Sequence, residues 1–178
     1  MNEFSNLTLQ EKARVLHLVD DAVLELFIRN DPSVILVRDN KLPPCLTIEE
    51  SNGEHCVKSL STFKKGDIIF EHDLLLIQDD NKVFMKLPDG TYYLVDNIKH
   101  TVKRDNYREF YYFDIFTNHS CDPNAEVVYL SRDRYQVVAL KDINKGDEIT
   151  NDYTEFDFEN DCELFECNCG SPHCKKLI

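Results

Sequence analysis

The sequence contains no tryptophan and only 5 glycines and 6 prolines among its 178 residues. This low content of glycine and proline excludes collagen-like and low-complexity chains. Hydrophobic residues make up 42% of the chain and aromatic residues 11%, so a sizeable core is available. We therefore expect one globular domain built around a single core.

Clusters of positive charge are also missing. The chain has 20 lysines and arginines against 33 acidic residues, a formal net charge of -13, and no basic stripe runs along it. Contact with a nucleic-acid backbone needs clustered cations, so direct nucleic-acid binding is not expected. An acidic surface attracts basic protein segments such as lysine-rich tails, although the same charge can simply keep a protein soluble.

Long hydrophobic runs are absent as well. No stretch approaches the roughly 18 apolar residues of a membrane span, and residues 1–10 lack the basic and apolar regions of a secretory signal. We expect a soluble intracellular protein, nuclear or cytoplasmic, with no membrane contact. In such a reducing compartment the seven cysteines, an odd number, favour metal binding over disulfides.

The first part of the chain carries a helical pattern. Thr8 and Glu11 have the spacing of a capping box, and apolar residues then recur at helical intervals until Pro32. The recurring residues are Leu16, Val19, Val23, Leu26 and Phe27. We predict one amphipathic helix of about 22 residues that docks on its own domain, with partner binding or dimerisation as alternatives.

The rest of the chain is predicted to be mostly β. Short runs rich in β-branched and aromatic residues alternate with turn residues, and residues 88–90 and 131–133 are typical of hairpin turns. A short helix is predicted around residues 106–116, and no linker divides the chain. The predicted strands are Val34–Val37, Cys56–Leu60, Ile68–Phe70, Leu74–Ile77, Val83–Leu87, Tyr92–Val95, Glu126–Leu130 and Tyr135–Leu140.

The C-terminal cysteines indicate a metal site. Cys167, Cys169 and Cys174 form a C-x-C-x4-C pattern around the turn at residues 170–172. Three thiolates suit tetrahedral zinc, and the pattern favours zinc over metal-free thiols or a disulfide. A structural zinc site needs a fourth ligand from elsewhere in the chain. The residues that could supply it are Cys121, Cys162, His173 and His119.

Two further segments complete a recognisable pattern. Residues 118–125 read N-H-S-C-D-P-N-A, and residues 145–153 read K-G-D-E-I-T-N-D-Y. Followed by the cysteine pattern, they resemble the SET-domain protein lysine methyltransferases, in which N-H-S-C-D-P-N-A precedes G-E-E-L-T-x-D-Y and a post-SET C-x-C-x4-C. The detailed match covers residues 116–175, and three motifs in the same order are far more specific than one.

The resemblance implies a fold and a domain division. The family fold is a set of small curved β-sheets with few helices, in which the C-terminal segment passes under a loop in a knot-like arrangement. We accordingly expect an N-terminal helical extension at residues 1–32, a SET domain at residues 33–160 and a post-SET zinc-binding tail at residues 161–178.

The resemblance also implies roles for particular residues. Cys121 matches the family's fourth zinc ligand, beside Cys167, Cys169 and Cys174. Asn118 and His119 match residues that hold the cofactor S-adenosylmethionine, His119 through its backbone. Tyr153 matches the catalytic tyrosine. For a lone asparagine, histidine or tyrosine, a turn or core position would be the ordinary interpretation.

The implied reaction is methyl transfer from S-adenosylmethionine to the ε-amine of lysine in a basic protein, a histone being the usual target. Such an in-line displacement requires a neutral amine held about 3 to 3.5 Å from the methyl group, with water excluded. A tyrosine hydroxyl can orient that amine. Aromatic residues could line the lysine channel: residues 111–113, for which a core position is favoured, or Phe156 and Phe158, for which both positions are equally open.

Three positions depart from the family pattern. The G-x-G that opens the family's domain is replaced by Glu54-His55-Cys56, and E-Y-x-G appears as residues 71–74, E-H-D-L. Asn151 stands where the family often carries an aromatic residue that influences how many methyl groups are added. The alternative function is therefore a catalytically inactive interaction module that retains the structural zinc.

Overall fold

The computed structural model describes residues 30–51, 54–96, 100–104, 106–155 and 166–178. The predicted N-terminal helix lies outside these residues, and so do Cys162, Phe156 and Phe158. Within them the regular structure consists of thirteen short strands and two 3-10 helices, Tyr112–Phe116 and Tyr153–Glu155. No helix among these residues has the length and hydrophobicity to cross a bilayer. The prediction of a mostly β protein is confirmed.

The strands form five small sheets rather than one large sheet. Three sheets have three strands, in the orders β1-β6-β7, β5-β9-β8 and β11-β12-β4, and two have two strands, β2-β3 and β10-β13. The strands are β1 Val34–Val37, β2 Leu46–Ser51, β3 Glu54–Ser59, β4 Ile68–Asp73, β5 Leu75–Ile77, β6 Lys82–Lys86, β7 Tyr92–Leu94, β8 Thr101–Arg104, β9 Tyr107–Phe110, β10 Asn118–His119, β11 Ala125–Ser131, β12 Arg134–Ala139 and β13 Thr150–Asn151.

Both predicted hairpins are confirmed. β6 and β7 pair antiparallel across the turn that contains Gly90, whose φ of 90° is a conformation that glycine adopts at no steric cost. β11 and β12 pair antiparallel from Ala125 opposite Ala139 to Ser131 opposite Arg134. Turn residues between apolar runs were therefore sufficient to identify these two connections.

The predicted helix around residues 106–116 is wrong in its first half. Tyr107–Phe110 is the central strand of a sheet, paired with β5 on one side and β8 on the other, and only Tyr112–Phe116 is helical, as a 3-10 turn. Paired strands satisfy the backbone of β9 on both edges, and this tertiary pairing overrides a local helical pattern.

The core is rich in aromatic side chains. Phe113 and Tyr135 are fully buried, and the ring of Phe70 lies 4.9 Å from that of Phe113 in an edge-to-face contact. Tyr111 is also buried, with its ring 5.1 Å from that of Tyr135. Edge-to-face pairs of this kind stabilise a core beyond the burial of their area. The favoured core position of Tyr111 and Phe113 is confirmed.

One parallel pair of two-residue strands brings distant segments together. Asn118 of β10 lies opposite Thr150 of β13, and His119 lies opposite Asn151. The amide of Asn124 holds β13 in place, because its Oδ1 accepts the Thr150 N–H at 2.9 Å and its Nδ2 donates to the Glu148 carbonyl at 2.7 Å. This pairing sets the 118–121 segment beside the 152–155 segment.

Asp114 is a buried acid near this junction. The residue is 7% exposed, and its carboxylate accepts a hydrogen bond from Thr117 Oγ1 at 2.5 Å. Burial raises the pKa of Asp114 to about 6, because the charged form loses its hydration. The folded state therefore holds the proton more tightly than the unfolded chain does.

This pKa predicts that stability falls as pH rises from about 4 to about 6, by about 3 kcal/mol. Asp114→Asn, which keeps the acceptor oxygen, should abolish this loss and be the more stable protein at pH 7. Urea unfolding of both proteins at several pH values measures the difference. The exposed Asp133→Asn is the control, and parallel pH curves for wild type and Asp114→Asn would disprove the assignment.

Candidate active site and metal centre

Four cysteine sulfurs converge next to β10. Cys121 follows β10, whereas Cys167, Cys169 and Cys174 come from the C-terminal tail. The four Sγ atoms all lie within 4.8 Å of one another, and those of Cys121 and Cys167 are 3.8 Å apart. Two sulfurs bound at about 2.3 Å to one tetrahedral zinc are separated by about 3.8 Å. The four-cysteine cluster therefore fits a closed structural zinc site.

Backbone N–H groups donate to two sulfurs of this cluster. The Cys121 N–H donates to Cys169 Sγ at 3.5 Å, and the Lys175 N–H donates to Cys121 Sγ at 3.3 Å. The first of these bonds is the main reason why the pKa of Cys169 is lowered to about 6. Burial instead raises the pKa of Cys167 to about 12. A bound metal would hold all four sulfurs deprotonated.

The other candidates for the fourth metal ligand lie elsewhere. The exposed His173 is in the turn of the tail, where its backbone N–H donates to Ser171 Oγ at 3.1 Å. His119 contacts one sulfur of the cluster, Cys121 Sγ, with its Nε2 at 3.2 Å. Cys162 lies outside the described residues. Cys121 is thus the sulfur that the fold brings to the three tail cysteines.

Tyr153 begins the second 3-10 helix, which Asp152 separates from β13. Its hydroxyl donates to the carbonyl of Thr117 at 2.7 Å, so the phenol points toward the segment before β10. Burial raises the pKa of this hydroxyl well above its usual value, and the nearby carboxylates of Asp114 and Glu148 raise it further. Tyr153 is therefore a neutral phenol at physiological pH, able to accept as well as donate a hydrogen bond.

His119 lies between Tyr153 and the four-cysteine cluster. Its Nδ1 accepts the backbone N–H of Tyr153 at 3.1 Å, and the two rings are 5.4 Å apart. The side chain is only 3% exposed, and burial lowers the pKa of His119 despite the carboxylate of Asp152 3.7 Å away. Burial therefore favours the neutral form of the imidazole.

The side-chain amide of Asn118 is engaged within the protein. Its Nδ2 donates to Glu148 Oε1 at 2.7 Å and to the carbonyl of His55 at 3.3 Å. Both amide protons thus have partners, so a ligand that accepts a hydrogen bond from Asn118 Nδ2 must replace one of them. Sequence reasoning missed Glu148, although it lies inside the 145–153 motif.

Sequence reasoning also missed Lys175. Its Nζ lies 3.4 Å from Asp152 Oδ2 and 3.1 Å from Thr154 Oγ1, so a tail residue holds both neighbours of Tyr153. No sequence signal distinguishes this lysine from Lys176 beside it, because only the folded tail brings it to Asp152.

The segment in place of G-x-G, Glu54-His55-Cys56, forms the first half of strand β3 and carries three side chains. The ring of His55 packs 4.7 Å from Phe116 and 5.5 Å from Tyr93, and Cys56 is buried. Two glycines would leave this strand bare and allow a ligand to approach the backbone closely. The side chains of β3 reduce the access of a ligand to the backbone next to Asn118.

The other sequence departures include Asn151 and His72. Asn151 is buried and lies opposite His119 in the β10-β13 pair. The ring of His72 packs 5.8 Å from that of Phe113. Tyr112 lines a separate cavity of about 190 Å³ at the end of β4. The other residues that line this cavity are Lys41, Glu71, His72, Asp73 and Arg134. Of the aromatic stretch at 111–113, only Tyr112 reaches this space.

Comparisons with known proteins agree with this geometry. The model of the family described as SET domain matches residues 54–154, more than half of the chain. Human "Histone-lysine N-methyltransferase 2D" is 44% identical over 66 residues, which cover 35% of this chain and 1% of that protein. "Histone-lysine N-methyltransferase Su(var)3-9" of Drosophila melanogaster is 26% identical over 168 residues, 80% of this chain and 26% of that protein.

The chain is also similar to a solved structure at lower identity. It is KRYPTONITE in complex with mCHG DNA and SAH, with a TM-score of 0.48 and 19% identity, covering 82% of this chain and 34% of that one. The chain spans 1% of the human relative and 26% of the Drosophila relative described above. With the SET-domain model spanning both β3 and Tyr153, and four cysteines gathered as in a post-SET zinc site, this chain belongs to the SET-domain family of lysine methyltransferases.

Proposed function

We propose that this protein transfers methyl groups from S-adenosylmethionine to lysine side chains of a basic protein, most simply a histone. The observation that carries the proposal is the β10-β13 pairing, which sets Asn118 and His119 beside Tyr153. Two relatives named as histone-lysine N-methyltransferases support the substrate class. The net charge of -13 supports attraction of a basic tail. With a histone as its substrate, the protein would act in the nucleus.

The proposed catalytic residue is Tyr153. Because its phenol stays neutral and donates to the Thr117 carbonyl, its oxygen can accept a hydrogen bond from the attacking amine and orient it. The bound cofactor would supply a methyl group on a positively charged sulfur. The buried side chains near Tyr153 would help to exclude water from the reacting atoms, and the carboxylates of Asp114 and Glu148 would favour positive charge nearby.

Asn118 and His119 are the proposed cofactor residues. Asn118 would exchange its bond to Glu148 for one to the methionine end of the cofactor, and His119 would use its backbone near the adenine. Zinc held by Cys121, Cys167, Cys169 and Cys174 would supply no chemistry and would anchor the tail. We further propose the domain division 1–32, 33–160 and 161–178, with the tail passing under a loop in the knot-like arrangement of the family.

One pair of observations favours a second function, an inactive interaction module that retains zinc. Asn118 Nδ2 is already satisfied by Glu148 and His55, and β3 carries side chains where the family has glycines. A cofactor contact through Asn118 Nδ2 must then overcome an internal hydrogen bond to a charged group, which is worth about 1.5–3 kcal/mol. The two functions differ in whether S-adenosylmethionine binds.

Calorimetric titration with S-adenosylmethionine separates the two functions. We expect binding in the micromolar range, and we expect Asn118→Ala to weaken it about 10-fold by removing a hydrogen bond. Asn144→Ala, in an exposed turn, is the control and should bind like wild type. Absence of heat at high micromolar cofactor would refute the enzyme and leave the interaction module.

A further inference from the structure

We infer that His119 is a positioning residue whose imidazole couples the four-cysteine cluster to Tyr153. The proposed cofactor contact of His119 uses its backbone, so its side chain is available for this second role. The inference rests on the proposed zinc site, because the coupling starts at a cysteine of that site. It concerns the position of Tyr153 and does not require that the protein be an active enzyme.

The two hydrogen bonds of the ring define its tautomer. A backbone N–H can only donate, so Nδ1 of His119 must be the acceptor of the 3.1 Å bond from Tyr153. A ring whose Nδ1 accepts a hydrogen bond carries its single N–H on Nε2, which lies 3.2 Å from Cys121 Sγ. The ring therefore donates to the sulfur with one nitrogen and accepts from the Tyr153 backbone with the other.

Burial makes this connection effective. The His119 side chain is 3% exposed, so its hydrogen bonds do not compete with water and determine one ring orientation. Lys175 makes a parallel connection, from its N–H at Cys121 Sγ to its Nζ at Asp152, but its side chain is 48% exposed. A solvated lysine contributes little, so His119 is the stronger link.

The consequence is that metal loading orders the proposed catalytic residue. A metal would hold Cys121 Sγ as a thiolate at one position, and a thiolate is a stronger acceptor for the Nε2–H than a thiol is. The ring orientation that this bond selects is the one that presents Nδ1 to the Tyr153 N–H. Partners that orient metal ligands in this way typically change metal affinity about 10- to 100-fold when they are removed.

Three substitutions of His119 separate the two ends of the link. Gln can place an amide N–H where Nε2 stood, whereas Asn can place a carbonyl oxygen where Nδ1 stood, and Phe keeps the ring without hydrogen bonds. Zinc affinity, measured by competition with a chromophoric chelator, reports the sulfur end. The amide signal of Tyr153 in 15N–1H NMR spectra, recorded with and without zinc, reports the tyrosine end.

We expect His119→Gln to bind zinc within about threefold of wild type but to lose the zinc-dependent shift of the Tyr153 amide. His119→Asn and His119→Phe should bind zinc about 10- to 100-fold more weakly, with only Asn keeping a downfield, hydrogen-bonded Tyr153 amide. His173→Phe removes an exposed imidazole from the tail and should leave both readouts unchanged.

Two results would overturn the inference in distinguishable ways. If wild-type protein takes up no zinc, the proposed zinc site fails and the coupling fails with it. If wild-type protein binds one zinc but His119→Phe matches its affinity and its Tyr153 amide shift, only the coupling fails, and His119 is a space-filling residue.

Discussion

Replacing Tyr153 with phenylalanine is expected to lower methyl transfer about 100- to 1,000-fold, the cost typical of losing one preorganised polar group at a reacting centre. The substitution removes the hydroxyl that would orient the amine but keeps the ring. Transfer of radiolabelled methyl from S-adenosylmethionine to mixed histones measures the loss. Cofactor affinity should change little, because the hydroxyl points at the Thr117 carbonyl rather than at Asn118.

The lost hydrogen bond also has a cost in stability, which a matched variant measures. Tyr153→Phe leaves the buried Thr117 carbonyl without this donor, at a cost of about 1–2 kcal/mol. Tyr135 is a comparable case, because its buried hydroxyl donates to the Tyr111 carbonyl at 3.2 Å within the core. Tyr135→Phe should lose similar stability and retain activity.

Two outcomes would contradict the catalytic assignment. Full activity in Tyr153→Phe would mean that another group orients the amine. Equal loss of activity in Tyr153→Phe and Tyr135→Phe would mean that the first variant acts only through stability, since the two substitutions remove the same kind of bond.

Replacing Cys169 with serine is expected to release zinc from a protein that otherwise holds one equivalent. Serine keeps the size of the side chain but not the soft thiolate, so we expect affinity to fall at least about 100-fold. At a zinc concentration 100 times the dissociation constant, the wild-type protein gains about 2.7 kcal/mol from binding that the variant lacks. Metal analysis and thermal unfolding with and without a chelator measure both effects.

Release of the metal should loosen one part of the chain more than the rest. Residues 166–178 are tied to the 118–121 segment by the four sulfurs and by the Lys175 contacts, whereas the β-sheets have their own core. Hydrogen exchange should therefore rise in the tail first. Cys45→Ser, a half-buried cysteine outside the cluster, is the control and should retain zinc. A metal-free, well-folded wild-type protein would refute the site.

Strands whose own residues form a pattern typical of a β-strand were predicted well. β1 was located to the residue, because Val34–Val37 is an unbroken β-branched and aliphatic run between turn residues. β2 was missed, since its threonine and glutamates resemble a polar segment until they pair with β3. β10 and β13 were also missed. Strands of two residues have no periodicity, and they exist only because the fold brings them side by side.

The candidate site shows the same division. Motif order suggested Cys121, Tyr153, Asn118 and His119, because each lies inside a short segment with an unusual combination of residues. The partners of these residues could not be predicted. Glu148, Thr117 and Lys175 meet Asn118, Tyr153 and Cys121 through hydrogen bonds that span 30, 36 and 54 positions in the chain. Long-range partners leave no local pattern.

The sequence by itself determined that this protein is mostly β, that it belongs with the SET-domain enzymes by its ordered motifs, and that its tail is rich in thiols suited to zinc. Only the tertiary structure decided that Cys121 joins the tail cysteines, that Asn118 is held by Glu148, and that His119 bridges sulfur and Tyr153. The physical reason is that composition and spacing act along the chain, whereas ligand geometry and hydrogen-bond partners depend on which distant strands pair.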